Sequence, residues 1–78
     1  MNVQIVTPDS TVFEGDASLV QLPGIDGSFE IMNNHAPMIS ILREGKVKVQ
    51  RPDKTLEFFD IRGGVVEVLG NKVLLLAE

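Results

Sequence analysis

Val3 and Ile5 alternate with Asn2 and Gln4 at the start of the chain. The alternation returns over Lys46–Arg51, where Val47 and Val49 point one way and Lys46, Lys48 and Gln50 the other. A period of two belongs to a half-buried β-strand. Glycine and proline interrupt the chain along its whole length and leave runs of about four to eight residues, the spacing of a sandwich or barrel. After Asn2–Val6, the turn residues Thr7-Pro8-Asp9-Ser10 predict a break. A second run starts at Thr11, is interrupted by Glu14-Gly15-Asp16 as a bulge or tight bend, and resumes over Ala17–Leu22. Pro23-Gly24 predicts a turn, with Asp26-Gly27 a second turn signal close behind. Ser28–Met32 reads as a short strand, Asn33–Pro37 as a polar loop, and Met38–Leu42 as a short apolar run.

Further on, Pro52-Asp53-Lys54 connects Lys46–Arg51 to Thr55–Ile61 as a hairpin. Gly63-Gly64 breaks the chain. Val65–Leu69 and Lys72–Ala77, joined at Gly70-Asn71, form the closing hairpin. No stretch sustains a period of 3.6, and Met38–Arg43, the most helix-like window, is too short. The expectation is an all-β chain: a small antiparallel β-sandwich of about eight to ten short strands in two sheets. Two strands break the simple alternation. Leu56, Phe58, Phe59 and Ile61 include neighbours that face opposite sides, as do Val73, Leu74, Leu75 and Leu76. In so small a sandwich, a strand apolar on both faces is either covered internally or exposes one face to a partner.

Composition narrows the classes. With 78 residues the chain makes one small domain, residues 1–78, with a limited core. It has no cysteine, so disulfides and thiolate zinc sites are excluded. A formal net charge of −4, with no Trp or Tyr, argues against nucleic acid as a partner. No apolar run approaches the roughly 20 residues that span a bilayer. Met1-Asn2-Val3-Gln4 lacks the pattern of a signal peptide.

Chemistry is sparse. His35 is the only histidine, and Ser28, Asp26 and Glu30 near it form no recognisable catalytic set; it reads as a loop residue bonded to backbone. The eleven carboxylates show no paired arrangement of a glycosidase or a metal site. Glu14-Gly15-Asp16 reads as a solvated turn. Gly63-Gly64 reads as a bend, since no helix follows it as in a phosphate loop. Arg43, Lys46, Lys48, Arg51 and Lys54 read mostly as the wet face of a strand. No catalytic, cofactor-binding or metal-binding residue is expected, and no cofactor.

The order of segments carries a resemblance. Val3-Gln4-Ile5-Val6-Thr7-Pro8, Val12-Phe13-Glu14-Gly15 and Leu22-Pro23-Gly24-Ile25-Asp26-Gly27-Ser28-Phe29 are followed by His35-Ala36-Pro37-Met38-Ile39-Ser40-Ile41-Leu42. Gly45-Lys46-Val47-Lys48-Val49, Ile61-Arg62-Gly63-Gly64-Val65-Val66-Glu67-Val68 and Asn71-Lys72-Val73 with Leu75 and Ala77 complete the set. In this order and spacing the segments resemble the β-sandwich domain of the epsilon subunit of F-type ATP synthases. The chain departs from that pattern at Glu30, where the family has glycine, at Asn33-Asn34, where it has Pro-Gly, and at Ser28, often acidic. Asn34 tolerates left-handed backbone and can make the same turn. The family's C-terminal helical hairpin has no counterpart here.

The resemblance implies a non-catalytic subunit of the central stalk, linking the gamma subunit to the ring of c subunits and helping couple proton-driven rotation to ATP synthesis. It implies a peripheral place on the cytoplasmic face of the bacterial inner membrane, held by the complex and not inserted. ATP binding and inhibition of hydrolysis, which the family assigns to its helical hairpin, are not expected. The segment Asp26–Met38, with Ser28, Glu30, Asn33 and His35, is expected to face the c ring. Phe59, Ile61, Leu74 and Leu76, from the two strands with apolar neighbours, are the candidates for the gamma contact. The alternative reading is a free-standing β-sandwich adaptor or ligand-binding module.

Overall fold

The computed structural model describes Met1–Glu78 throughout. Nine strands follow in order: β1 (Asn2–Val6), β2 (Thr11–Asp16), β3 (Leu19–Gly24), β4 (Gly27–Met32), β5 (Met38–Leu42), β6 (Gly45–Gln50), β7 (Leu56–Ile61), β8 (Gly64–Leu69) and β9 (Lys72–Ala77). They form one hydrogen-bonded path, β2-β1-β9-β8-β5-β3-β6-β7, with β4 paired to β3. The two sheets expected from the sequence are the halves of this path. β5 meets β3 through a single residue pair, Gly24 opposite Leu42. Backbone bonds from Ile25 N–H to Ile41 O (3.1 Å) and from Arg43 N–H to Pro23 O (2.9 Å) flank that pair. About this narrow join the path curls, and its two halves share one core.

The core is a cluster of 16 buried apolar residues. One half supplies Val3, Ile5, Val66, Val68, Val73 and Leu75; the other supplies Val20, Leu22, Ile31, Val47, Val49 and Ile61. No buried residue is polar or charged. Each fully buried Val, Leu or Ile contributes about 1.5–3 kcal/mol, so the interior supplies packing.

The far edge of the sandwich lies between β2 and β7, the two ends of the path, and side chains seal it. The rings of Phe13 and Phe59 sit 5.6 Å apart at 60°, a tilted arrangement that suits the ring quadrupoles. The Arg51 guanidinium lies over Phe13 at 5.1 Å and donates from Nε to Glu57 at 2.5 Å. Arg51 thus belongs to this seam, whereas Lys46 and Lys48 keep the exposed face of β6 that the alternation assigned to them.

Two breaks in the chain fall elsewhere than the sequence reading placed them. The break expected at Glu14–Asp16 falls at Ala17–Ser18, and β2 runs unbroken through Gly15, which pairs with Val3. There the chain changes halves: Ala17 N–H donates to Met1 O at 2.9 Å, and Ser18 N–H to Gln50 O at 2.8 Å. An irregularity does exist in β2, but where Ile5 pairs Phe13 and Val6 pairs Thr11, leaving Val12 unmatched. Pro23-Gly24 is the end of β3, and the two-residue turn is Ile25-Asp26. The β3–β6 ladder stops at Gln21, before Pro23, so the missing proline N–H falls outside it. By contrast, Gly70-Asn71 turns as expected, with φ of 57° and 59°, the left-handed pair of a type I′ hairpin.

The loop from Asn33 to Pro37 crosses from one half to the other and is held at its start. Asn34 adopts φ 63°, the left-handed backbone expected of it, and its N–H donates to Oδ1 of Asn71 at 2.9 Å. Asn33 Oδ1 accepts from the Met1 amino group at 2.6 Å.

Two outcomes test this account. Gly64 has φ of 151°, and a Cβ there would lie 2.3 Å from the Leu76 carbonyl oxygen. Gly64→Ala should therefore destabilise the chain by about 3 kcal/mol or more in urea denaturation. In the second test, Asn71→Gly keeps the turn and removes the acceptor for Asn34. Amide exchange at Asn34 should quicken, while global stability changes by about 1 kcal/mol or less.

Candidate interaction surfaces

Each strand spends one row of side chains on the core, so recognition falls to the outer rows. The outer face of the half formed by β2, β1, β9, β8 and β5 is mainly apolar over β5, β8 and β9 and turns polar toward β1 and β2, at Asn2, Gln4, Glu14 and Asp16. Register places Ile41 opposite Val65, Val65 opposite Leu76, and Leu76 opposite Val6. This is an unbroken apolar row across four strands, about 15 Å long at ordinary strand spacing. Ile41 is 59% exposed and Leu76 52%. The next row reads Ile39, Glu67, Leu74 and Gln4. Ile39 is 70% exposed and Leu69, two residues beyond Glu67, 61%. A monomeric surface seldom carries so continuous an apolar patch without a partner.

The outer face of the other half is mixed. Glu30, Gln21, Lys48 and Phe58 form one row. Lys46 and Asp60 form an exposed ion pair at 3.0 Å, worth little at a wet surface. Leu56 and Phe58 stand exposed here.

The four residues expected to face the c ring do not share a loop. Ser28 and Glu30 are exposed positions of β4 itself, an edge strand paired only to β3. Asn33 and His35 lie in the loop that follows, so Ser28 and Asn33 are roughly 16 Å apart along the chain. All four are exposed, two on the edge strand and two in the loop that leaves it. His35 Nδ1 sits 2.7 Å from Ala36 O; the tautomer that donates there leaves Nε2 as an acceptor. A backbone-bonded loop histidine is what the sequence suggested.

The residues expected to face gamma divide. Leu76 is exposed and Leu74 half-buried on the apolar face. Phe59 and Ile61 are corrected: Ile61 is a buried member of the core, and Phe59 packs against it. The outward apolar residues of β7 are Leu56 and Phe58. With apolar residues at consecutive positions, β7 carries no alternation to show which row faces inward. The apolar row itself was missed because it joins residues remote in sequence.

The remaining chemistry is structural. The Thr55 hydroxyl donates to Oδ1 of Asp53 at 2.6 Å and the Thr55 amide at 3.0 Å. The hydroxyl bond first and the amide second hold the Asp53 carboxyl below its ordinary range, in a turn where Lys54 has φ of 73°. No group of three or more acidic or histidine side chains is placed to hold a metal ion. No helix is long and apolar enough to cross a membrane.

Known proteins similar to this chain in sequence or in shape point to one family. Residues 1–78 match the family described as ATP synthase, Delta/Epsilon chain, beta-sandwich domain. The chain is 46% identical over 76 residues to the ATP synthase epsilon chain of Chlorobium limicola, covering 97% of this chain and 86% of that one. It is 40% identical over 78 residues to the epsilon chain of Caulobacter vibrioides, covering 100% and 90%. The epsilon chain of Sulfurimonas denitrificans is longer: at 36% identity the match covers all of this chain and 60% of that one. Among solved structures, a chain of the Euglena gracilis mitochondrial ATP synthase superposes with a TM-score of 0.91 at 14% identity, over 96% of this chain and 48% of that one. A chain from the Tetrahymena thermophila mitochondrial ATP synthase central stalk and c-ring superposes with a TM-score of 0.81 at 21% identity, over 97% and 61%. At these identities the two structures speak to the fold, and it is the same fold. A match along its whole length, with relatives that keep up to nearly half of its residues, means that the chain belongs to the ATP synthase delta/epsilon family as an epsilon-type β-sandwich.

Proposed function

We propose that this chain is a non-catalytic rotor subunit of an F-type ATP synthase, joining the gamma subunit to the c ring and helping couple proton-driven rotation to ATP synthesis. The observation that carries the reading is the apolar row Ile41, Val65, Leu76 and Val6 on one outer face. A subunit that transmits load needs a broad, desolvated contact, and such contacts are built on apolar centres. Gamma is assigned to this face, with Leu74 and Leu76 in its middle. The c ring is assigned to the polar edge that runs from Ser28 and Glu30 on β4 to Asn33 and His35, a place for a wetter contact. The two partners then occupy different sides of the sandwich, as a link between them requires.

Support also comes from the relatives, which are epsilon chains of bacterial ATP synthases, and from the Tetrahymena neighbour, which belongs to a central stalk and c-ring assembly. On this reading the chain sits at the cytoplasmic face of the inner membrane, as a peripheral part of the complex. A free-standing adaptor does not account for a family match over the full chain.

Two measurements test the assignment. Leu76→Asp places a charge in the centre of the apolar row and should weaken binding of the chain to its gamma subunit by about 30-fold or more. Lys48→Glu, on the opposite outer face, should leave that affinity unchanged. Single cysteines at Ser28, Glu30, Asn33 and His35 should cross-link to a c subunit in the assembled enzyme. Cross-links from Pro52–Lys54, with none from those four, would place the c ring elsewhere.

A further inference from the structure

One charged group stands in the middle of the apolar face. Glu67 lies on the outer row of β8, opposite Ile39 on β5 and opposite Leu74 on β9. Val65 and Leu69, two residues to either side, share its face of β8. Glu67 is therefore bounded on four sides by Ile39, Leu74, Val65 and Leu69. It is exposed and forms no ion pair; the two ion pairs of the chain are Lys46 with Asp60 and Arg51 with Glu57. Lys72, diagonal to it by register, is not bonded to it. Shallow hollows flank the carboxylate on both sides: one is mainly polar, lined also by Asn2, Gln4, Glu14 and Lys72, and the other is mainly apolar, reaching toward Pro37, Met38 and Ile39.

Packing gives no reason for a carboxylate here. A β-branched residue suits an open strand position better and would make the patch continuous. In the free chain Glu67 is solvated and costs nothing. Once a partner covers the four apolar neighbours, water leaves the carboxylate as well. A charge left buried and unpaired is strongly destabilising. A partner that lies flat on this face must therefore bring a compensating group to that point.

We propose that Glu67 is the docking point for one cationic side chain of the gamma subunit, seated beside an apolar contact that enters the hollow of Pro37, Met38 and Ile39. This rests on the assignment of gamma to this face. Arginine fits the point better than lysine: its guanidinium is more weakly hydrated and meets a carboxylate with two parallel hydrogen bonds. The pair would set the register of the two subunits. An apolar row alone permits sliding; a single buried charge pair does not.

The test measures binding of the 78-residue chain to its cognate gamma subunit by calorimetry at low and moderate salt, using Glu67→Gln, Glu67→Leu and Leu76→Asp. Because Glu67 is exposed, all Glu67 variants should unfold at nearly the wild-type temperature, checked by circular dichroism. The expected result is a loss of about 30-fold or more for Glu67→Gln and a loss at least as large for Glu67→Leu. Salt should weaken the wild-type complex more than either variant. If Leu76→Asp abolishes binding while Glu67→Leu binds as tightly as wild type or more tightly, the face is right and the cation is wrong. If Leu76→Asp leaves binding unchanged, the assignment of gamma to this face fails, and the docking point with it.

Discussion

A strand has two sides, and in a sandwich this small only one of them can be used for the core. That constraint governs every surface of the molecule. Val3, Ile5, Val66, Val68, Val73 and Leu75 face Val20, Leu22, Ile31, Val47, Val49 and Ile61 across one interior. Once these are committed, the identity of each outward residue is free of packing. Apolar residues placed outward are then statements about what lies beyond the chain. The two outer faces differ in this respect. One carries Ile39, Ile41, Val65, Leu69 and Leu76, and the other sets Met32, Leu56 and Phe58 among lysines, glutamine and acids.

Much of the fold was legible because local and global signals agree. Asn2–Val6 and Lys72–Ala77 emerge with the boundaries that their alternation and turn residues suggest. Where the reading failed, a local signal pointed to something true but misplaced. Gly15 suggested a bend, yet in β2 it is a paired position beside Val3, and the real corner at Ala17–Ser18 is made by backbone bonds to Met1 and Gln50. Those partners lie too far along the sequence for any window to reveal. Pro23-Gly24 looked like a turn because both residues favour one; the turn came two residues later.

The surfaces were less legible, for a physical reason. A row such as Ile41, Val65, Leu76 and Val6 draws one residue from each of four strands and exists only when all four are in register. Sequence periodicity reports on a strand alone. It exposed Leu74 and Leu76 as unusual, since Val73 and Leu75 already fill the inner row. On β7 it failed, since Phe58 and Phe59 are equally apolar and only the packing against Phe13 shows which one turns inward. The polar edge shows a related limit: the strand expected over Ser28–Met32 is there, and only the fold shows that Ser28 and Glu30 sit on an edge strand while Asn33 and His35 lie in the loop that follows.

The pairing of β1 with β9 is the only parallel contact in the sheet, and it joins the first strand to the last. Val6 reaches the apolar row only through it. A chain leaving the ribosome therefore cannot complete either the core or this surface until β9 has been made. β1 and β2 pair early as a hairpin, but a lone hairpin is marginal in water, and the long loop closure between β1 and β9 makes the final step a slow one. Assembly with a partner is thereby deferred: the site that would receive it does not exist on the nascent chain and appears only with the finished domain.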